Sequence, residues 1–193
     1  MRRIWVSGYR SYELNVFQDN DPKVQVIKEV LRQNLTEMLN QSTEEFWLLT
    51  GPQLGIERWS IETGLALKKD YSQLKIAIMA PFADFGNHWK EDNQVALSQI
   101  KTAVDFAGDV SQSPYQSPRQ LQNYAHFMLT HSEGSILVYD PDFKGKPRWD
   151  YRAIRRWQEN HQYALRLIDF DELQNAAEEW GERQREKQDN SDQ

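Results

Sequence analysis

The chain has 193 residues, 39% of them hydrophobic, and a mean hydropathy of −0.81. That is the length of one domain with a polar surface, and seven Trp, eight Tyr and eight Phe supply apolar area for a core. The absence of cysteine excludes disulfides and thiolate zinc sites, and the N-terminus lacks a signal-peptide apolar run. With no stretch near the ~18 apolar residues of a membrane span, the expected location is the cytoplasm.

Taken in order, residues 4–6 (Ile-Trp-Val) read as a first strand, closed by Ser7-Gly8 with Tyr9-Arg10 beyond. A glycine and then an arginine at a strand's carboxyl end suit an anion, because the guanidinium fork matches phosphate. Asp19-Asn20-Asp21-Pro22 signals a helix start. Val24, Ile27, Leu31, Leu35 and Met38/Leu39 then recur at helical spacing, up to Asn40-Gln41-Ser42. Residues 46–49 (Phe-Trp-Leu-Leu) form a buried strand stopped by Thr50-Gly51-Pro52. Gly55 and Glu57 open a helix carrying Ile56, Ser60, Thr63/Gly64 and Leu67 on one face. Strand, glycine turn and helix in this order place the turn at the carboxyl edge of a parallel sheet, where open α/β folds bind ligands. Read blandly, the glycines only make the turn and Glu57 only favours the helix start.

The third strand, residues 74–79, delivers Ala80-Pro81-Phe82 to the same edge. A helix thought to carry Trp89, Asn93, Ala96 and Ile100 follows, with Trp89 and Asn93 sharing one face where they could stack on and hydrogen-bond a base or sugar. Residues 104–110 form an ambiguous short strand, and residues 111–119 a polar loop leading into a helix over 120–131. Residues 135–139 are a buried strand ending at Tyr139-Asp140. A basic and aromatic segment follows, with Lys144, Lys146, Arg148 and Arg152 as a candidate polyanion patch interleaved with Trp149, Tyr151 and Trp157. A last strand over 165–168 precedes an amphipathic helix from Phe170 to Trp180. The expected division is one domain over residues 1–180 and a charged, frayed tail over 181–193.

The net charge is −6, although residues 144–156 hold six bases and one acid. Nucleic-acid binders are usually basic overall, so any such contact would be local and nucleic acid is disfavoured as the main partner. The four histidines (His88, His126, His131, His161) make no His-x-x-x-His pair, and no metal is expected. There is no Gly-x-Ser-x-Gly elbow; the candidate catalytic groups are the edge carboxylates Glu57 and Asp140.

Ser7-Gly8-Tyr9-Arg10, the Thr-Gly-x-x-x-Gly-x-Glu-x-Trp string from Thr50 to Trp59, Pro81-Phe82, the Trp-x-x-x-Asn-Gln string at Trp89 and Tyr139-Asp140 together resemble the YpsA family. That family belongs to the SLOG superfamily, with DprA and the LOG phosphoribohydrolases as distant relatives. The resemblance implies a Rossmann-like three-layer α/β/α sandwich with a mainly parallel sheet. It also implies a pocket for a nucleotide or ADP-ribose-like ligand, to which Gly8, Arg10, Gly51, Gly55 and Glu57 carry over position by position; Gln53, Leu54, Trp59, Phe82, Trp89, Asn93, Tyr139 and Asp140 complete the candidate ligand site at the same edge. A regulatory role with a cell-division protein as partner is implied as well, and an oligomer is compatible with it. Pro52 stands where many superfamily members have a second glycine, and the longer Gly-Gly-x-Gly-Thr-x-x-Glu pattern of the LOG enzymes is absent. The weight therefore falls on binding over catalysis. The alternatives are a LOG-like N-glycosidase using Glu57 and a DprA-like single-strand binder.

Overall fold

The computed structural model describes residues 1–41 and 43–191. Ser42, part of the expected stop of the first helix, and Asp192 and Gln193 of the expected tail lie outside the described residues.

Six parallel strands form one sheet: β1 (Arg2–Gly8), β2 (Phe46–Thr50), β3 (Leu74–Ala80), β4 (Phe106–Asp109), β5 (Gly134–Val138) and β6 (Ala164–Ile168). Their order across the sheet is β4-β3-β2-β1-β5-β6. The connecting and closing helices are α1 (Pro22–Asn40), α2 (Ile56–Leu67), α3 (Glu91–Ala103), α4 (Arg119–Thr130), α5 (Arg148–Gln158) and α6 (Phe170–Ser191). This is the Rossmann-like sandwich the sequence implied. Helix α1 packs against α2 and α6, and α4 packs against α5.

The strands are short and apolar because a parallel sheet covered on both faces offers few wet positions. Trp5, Val6, Leu48, Ile76, Ile78, Ile136 and Leu137 are fully buried, and α1 adds Leu31 and Leu35. Helix α1 starts as expected: Asp21 accepts the N–H of Lys23 at 2.9 Å, and Pro22 occupies the first turn. The ambiguous segment after α3 is a strand, β4, at the sheet's edge.

Two helix boundaries differ from expectation. Helix α3 begins at Glu91, with extended Lys90 (ψ 148°) as its cap, so Trp89 precedes the helix and does not share a helical face with Asn93. Glu91 and Asp92 suit the positive end of the helix, and the Gln94 side chain donates to the carbonyls of Asn87 and Trp89 at 3.0 and 2.7 Å. Helix α6 continues past Trp180 to Ser191. Apart from Gly181, residues 181–187 are Glu, Arg, Gln and Lys, all strong helix formers.

The chain winds outward from β1 through β2 and β3 to β4, then returns to lay β5 on the other side of β1. The connections therefore diverge between β1 and β5, and the crevice beyond their carboxyl ends is where open α/β sheets bind ligands.

Candidate functional site

The turns after β1 and β2 are locked together at that crevice. The N–H of Ile56 donates to Tyr9 O at 3.1 Å, the N–H of Ser11 donates to Leu54 O at 3.1 Å, and Arg10 bridges to Gly55. Gly8 lets the first turn of α2 sit on the end of β1, since a Cβ there would come 2.7 Å from Ile56 Cγ1. Gly55 has φ +114°, and a Cβ would meet Tyr9 O at 2.5 Å and Ser11 N at 2.6 Å. Two of the leading donors of α2 are already used, with the N–H of Arg58 on Gln53 O at 3.2 Å and that of Ile56 on Tyr9 O. The helix start is thus partly filled by protein.

Glu57, 3% exposed, points from the first turn of α2 under these loops. Its Oε2 accepts the N–H of Gln53 at 2.9 Å, and its Oε1 lies 3.8 Å from Arg10 Nη1 and 3.4 Å from Ser7 Oγ. Ser7 Oγ in turn donates to Asp150 Oδ2 at 2.6 Å. Helix α4 contributes Tyr124, whose buried hydroxyl has no partner among the described residues. Gly51 leaves room between these groups: a Cβ there would stand against Glu57 Oε2 and 2.5 Å from the Tyr124 hydroxyl. Elements from both halves of the fold thus converge on one cluster.

Its electrostatics follow from burial. Desolvation raises the Glu57 carboxyl above its ordinary value against the pull of Arg10 and the Gln53 N–H, and the Asp150 charge adds to the rise. Asp150 is raised by burial too, opposed by the Ser7 hydroxyl and Arg10. Burial and then the two carboxylates push the Tyr124 hydroxyl well above its usual value. Arg10 is the only cation among the causes of these shifts. It donates from Nη1 to Gly8 O at 3.1 Å, while its Nε and Nη2 have no partner among the described residues. Unpaired guanidinium donors beside two buried carboxyls can grip an anion next to a hydroxyl-bearing group.

Gly8, Arg10, Gly51, Gln53, Leu54, Gly55 and Glu57 therefore come together. Trp59, 4% exposed, packs into the core. Tyr139 is buried against Tyr9 and Tyr151, with ring centroids 5.8 and 5.3 Å away. Asp140 reaches the edge, but its Oδ1 accepts the N–H of Asp142 at 2.9 Å and its Oδ2 that of Phe170 at 3.2 Å. Phe82 and Trp89 sit beyond β3 in an aromatic cluster with Phe85 and Tyr115, about 10 Å from β1 by the spacing of two strands. Asn93 lies in the first turn of α3.

In the basic segment, Lys144 and Lys146 are exposed, and the N–H of Lys146 donates to Glu13 Oε1 at 2.7 Å. The guanidiniums of Arg148 and Arg152 lie over the exposed Trp149 ring, 4.7 and 5.3 Å from its centroid. These two arginines stack on a neighbouring side chain at the surface.

Sequence reasoning missed Ser7, Tyr124 and Asp150. Asp150 carried one signal, as the single acid among the six bases of residues 144–156. Tyr124 carried none, since its role depends on where α4 crosses the sheet.

The family model YpsA, described as "YspA SLOG family", matches residues 4–173. The chain is 56% identical over 187 residues to a UPF0398 protein of Limosilactobacillus reuteri (strain DSM 20016), covering 97% of this chain and 98% of that protein. It is 52% identical over 184 residues to a UPF0398 protein of Lactiplantibacillus plantarum, covering 95% and 96%. With a UPF0398 protein of Levilactobacillus brevis the identity is 51% over 182 residues, covering 94% and 95%.

Proposed function

The chain belongs to the YpsA SLOG family, and from that membership and the geometry of the cluster we propose that it binds a nucleotide-derived small molecule between the ends of β1, β2 and β5, as a sensor and not as a catalyst. The observation that carries this reading is the Gly51 cradle, where a buried, unpartnered Tyr124 hydroxyl and the Glu57 carboxyl face the same small space. Buried polar groups without partners are uncommon in folded proteins, and a ligand is one way to satisfy them. Arg10 receives the anionic end through its unpaired nitrogens, and Phe82 and Trp89 offer aromatic surface for a base.

The test is a thermal-shift panel of ribonucleotides, dinucleotides and ADP-ribose on the wild type and on Glu57→Gln. Gln is the informative change because Ala would leave the Gln53 N–H without its acceptor. At about 100 times its Kd, a ligand binding only the folded state raises Tm by about 5–10 °C for a chain of this length. The rise is expected to shrink or vanish in Glu57→Gln. A panel without any shift would refute the reading.

One observation favours a second reading, N-glycosidic hydrolysis: Ser7 Oγ links Glu57 and Asp150, two carboxyls with raised pKa, as acid–base work on a sugar requires. Free base released from the same panel would establish it and displace the sensor role. A regulatory link to cell division is supported by the family resemblance. Normal cell length in a bacterium carrying only the Glu57→Gln form would count against it.

A further inference from the structure

The hydrogen bonds of the cluster leave an unequal account of donors and acceptors. Ser7 has one hydroxyl proton, and at 2.6 Å it goes to Asp150 Oδ2, so the 3.4 Å approach to Glu57 Oε1 is left without that donor. Glu57 Oε1 then has only the long 3.8 Å contact with Arg10. Ser7 engages Oδ2 of Asp150 and leaves Oδ1 to face the cluster, where the buried Tyr124 hydroxyl has no partner among the described residues. Two carboxyl oxygens from α2 and α5 are thus open to donors, beside a phenol O–H from α4 that lacks an acceptor. Two carboxyls in that place repel a phosphate, whereas the O–H groups of a sugar supply donors in pairs.

We propose that Asp150, aimed by Ser7, joins Glu57 and Tyr124 to read the vicinal hydroxyls of the ligand's sugar, which makes the pocket selective for ribose over deoxyribose. This rests on the nucleotide reading given above. It gives this part to Asp150 and not to Asp140, whose oxygens are engaged by backbone N–H groups. The ligand then lies with its sugar over Ser7 and Gly51 and its anionic group towards Arg10. Asp150 acts here as a specificity-determining residue, and Ser7 as the residue that positions it.

The test measures binding by calorimetry for AMP, GMP, CMP, UMP and ADP-ribose, and for the 2′-deoxy and 2′,3′-dideoxy forms of whichever nucleotide binds. The wild type is expected to prefer the ribose form by about tenfold or more, the scale of a hydrogen bond to a charged group. In Asp150→Asn the ribose form is expected to weaken towards the dideoxy form, whose affinity stays within about twofold. Tyr124→Phe should narrow the preference in the same way. Ser7→Ala, which removes only a hydroxyl, gives the same reading should Asp150→Asn fold poorly. Equal wild-type affinity for ribose and dideoxy forms overturns the inference and spares the nucleotide reading. So does an equal loss for both forms in the variants, the mark of a structural role. A panel with no binder at all overturns both.

Discussion

Gly51→Ala would place its Cβ against Glu57 Oε2 and 2.5 Å from the Tyr124 hydroxyl, both of them ends of side chains that can yield. Gly55→Ala meets backbone instead, Tyr9 O at 2.5 Å and Ser11 N at 2.6 Å, at φ +114°, which a side chain rarely tolerates. The first substitution is expected to cost about 1–3 kcal/mol and to abolish the ligand's thermal shift by filling the cradle. The second should cost about 3–5 kcal/mol, strain and overlap together, and unfold the protein at markedly lower urea. Urea midpoints of the two variants check this, and a Gly55→Ala variant as stable as Gly51→Ala would contradict it. Neither role was separable in the sequence, where both glycines read as turn residues beside a helix start. The place of Glu57 at this edge was legible from strand, glycine turn and helix start in succession, although a carboxylate in a first turn also serves simply as a favourable charge. Asp150 was not, since its placement depends on β5 lying beside β1, a long-range fact that no local pattern carries.

At the scale of elements, periodicity and capping carried furthest where each segment's own residues decide its structure. The buried strands at Phe46–Thr50 and Gly134–Val138 were readable because apolar runs of that length between breakers suit a covered parallel sheet. The Asp21-Pro22 start of α1 was readable because capping is local chemistry. Trp89 misled because Asn93 and Ala96 follow at helical spacing, while the stop lies in the extended backbone of Lys90 and the Gln94 bonds that close the preceding turn. The helix start at Gly55 was legible only in part. That α2 follows a glycine turn is local, but the filling of its donors comes from Tyr9 and Gln53 in the neighbouring loops. A ligand at this edge therefore meets side chains and Arg10 more than a bare helix terminus, unlike a phosphate loop.

Across the whole molecule, the acids at the two edges of the sheet differ in kind. At the amino edge, Glu133 before β5 bonds Arg3 and Asp105 before β4 bonds Lys68, and these partners hold both carboxyls below their ordinary values despite burial. At the carboxyl edge, burial raises Glu57 and Asp150, with Arg10 as their shared cation. The signs are opposite. A depressed carboxyl stabilises the fold above its unfolded pKa, and that contribution is lost as pH falls through the lower folded value. A raised carboxyl is best tolerated below its unfolded value, 4.5 for Glu57 and 3.8 for Asp150, and the fold loses stability as pH rises through the higher folded value. Glu57→Gln and Asp150→Asn remove the second cost alone. Each is therefore expected to match or fall below the wild type in Tm near pH 4, to gain on it as the pH rises above the unfolded value, and to level off beyond the folded one. Glu133→Gln should do the reverse, with its deficit largest near neutrality and fading as the pH drops below about 4. A Tm difference between Glu57→Gln and wild type that stays constant from pH 4 to 8 would show that the carboxyl ionises in the fold as freely as in the unfolded chain. The carboxyl edge would then carry no electrostatic cost. A gain that opens only above the unfolded pKa would show, by contrast, that burying these two acids has a cost, one that hydroxyls bonded to them can offset.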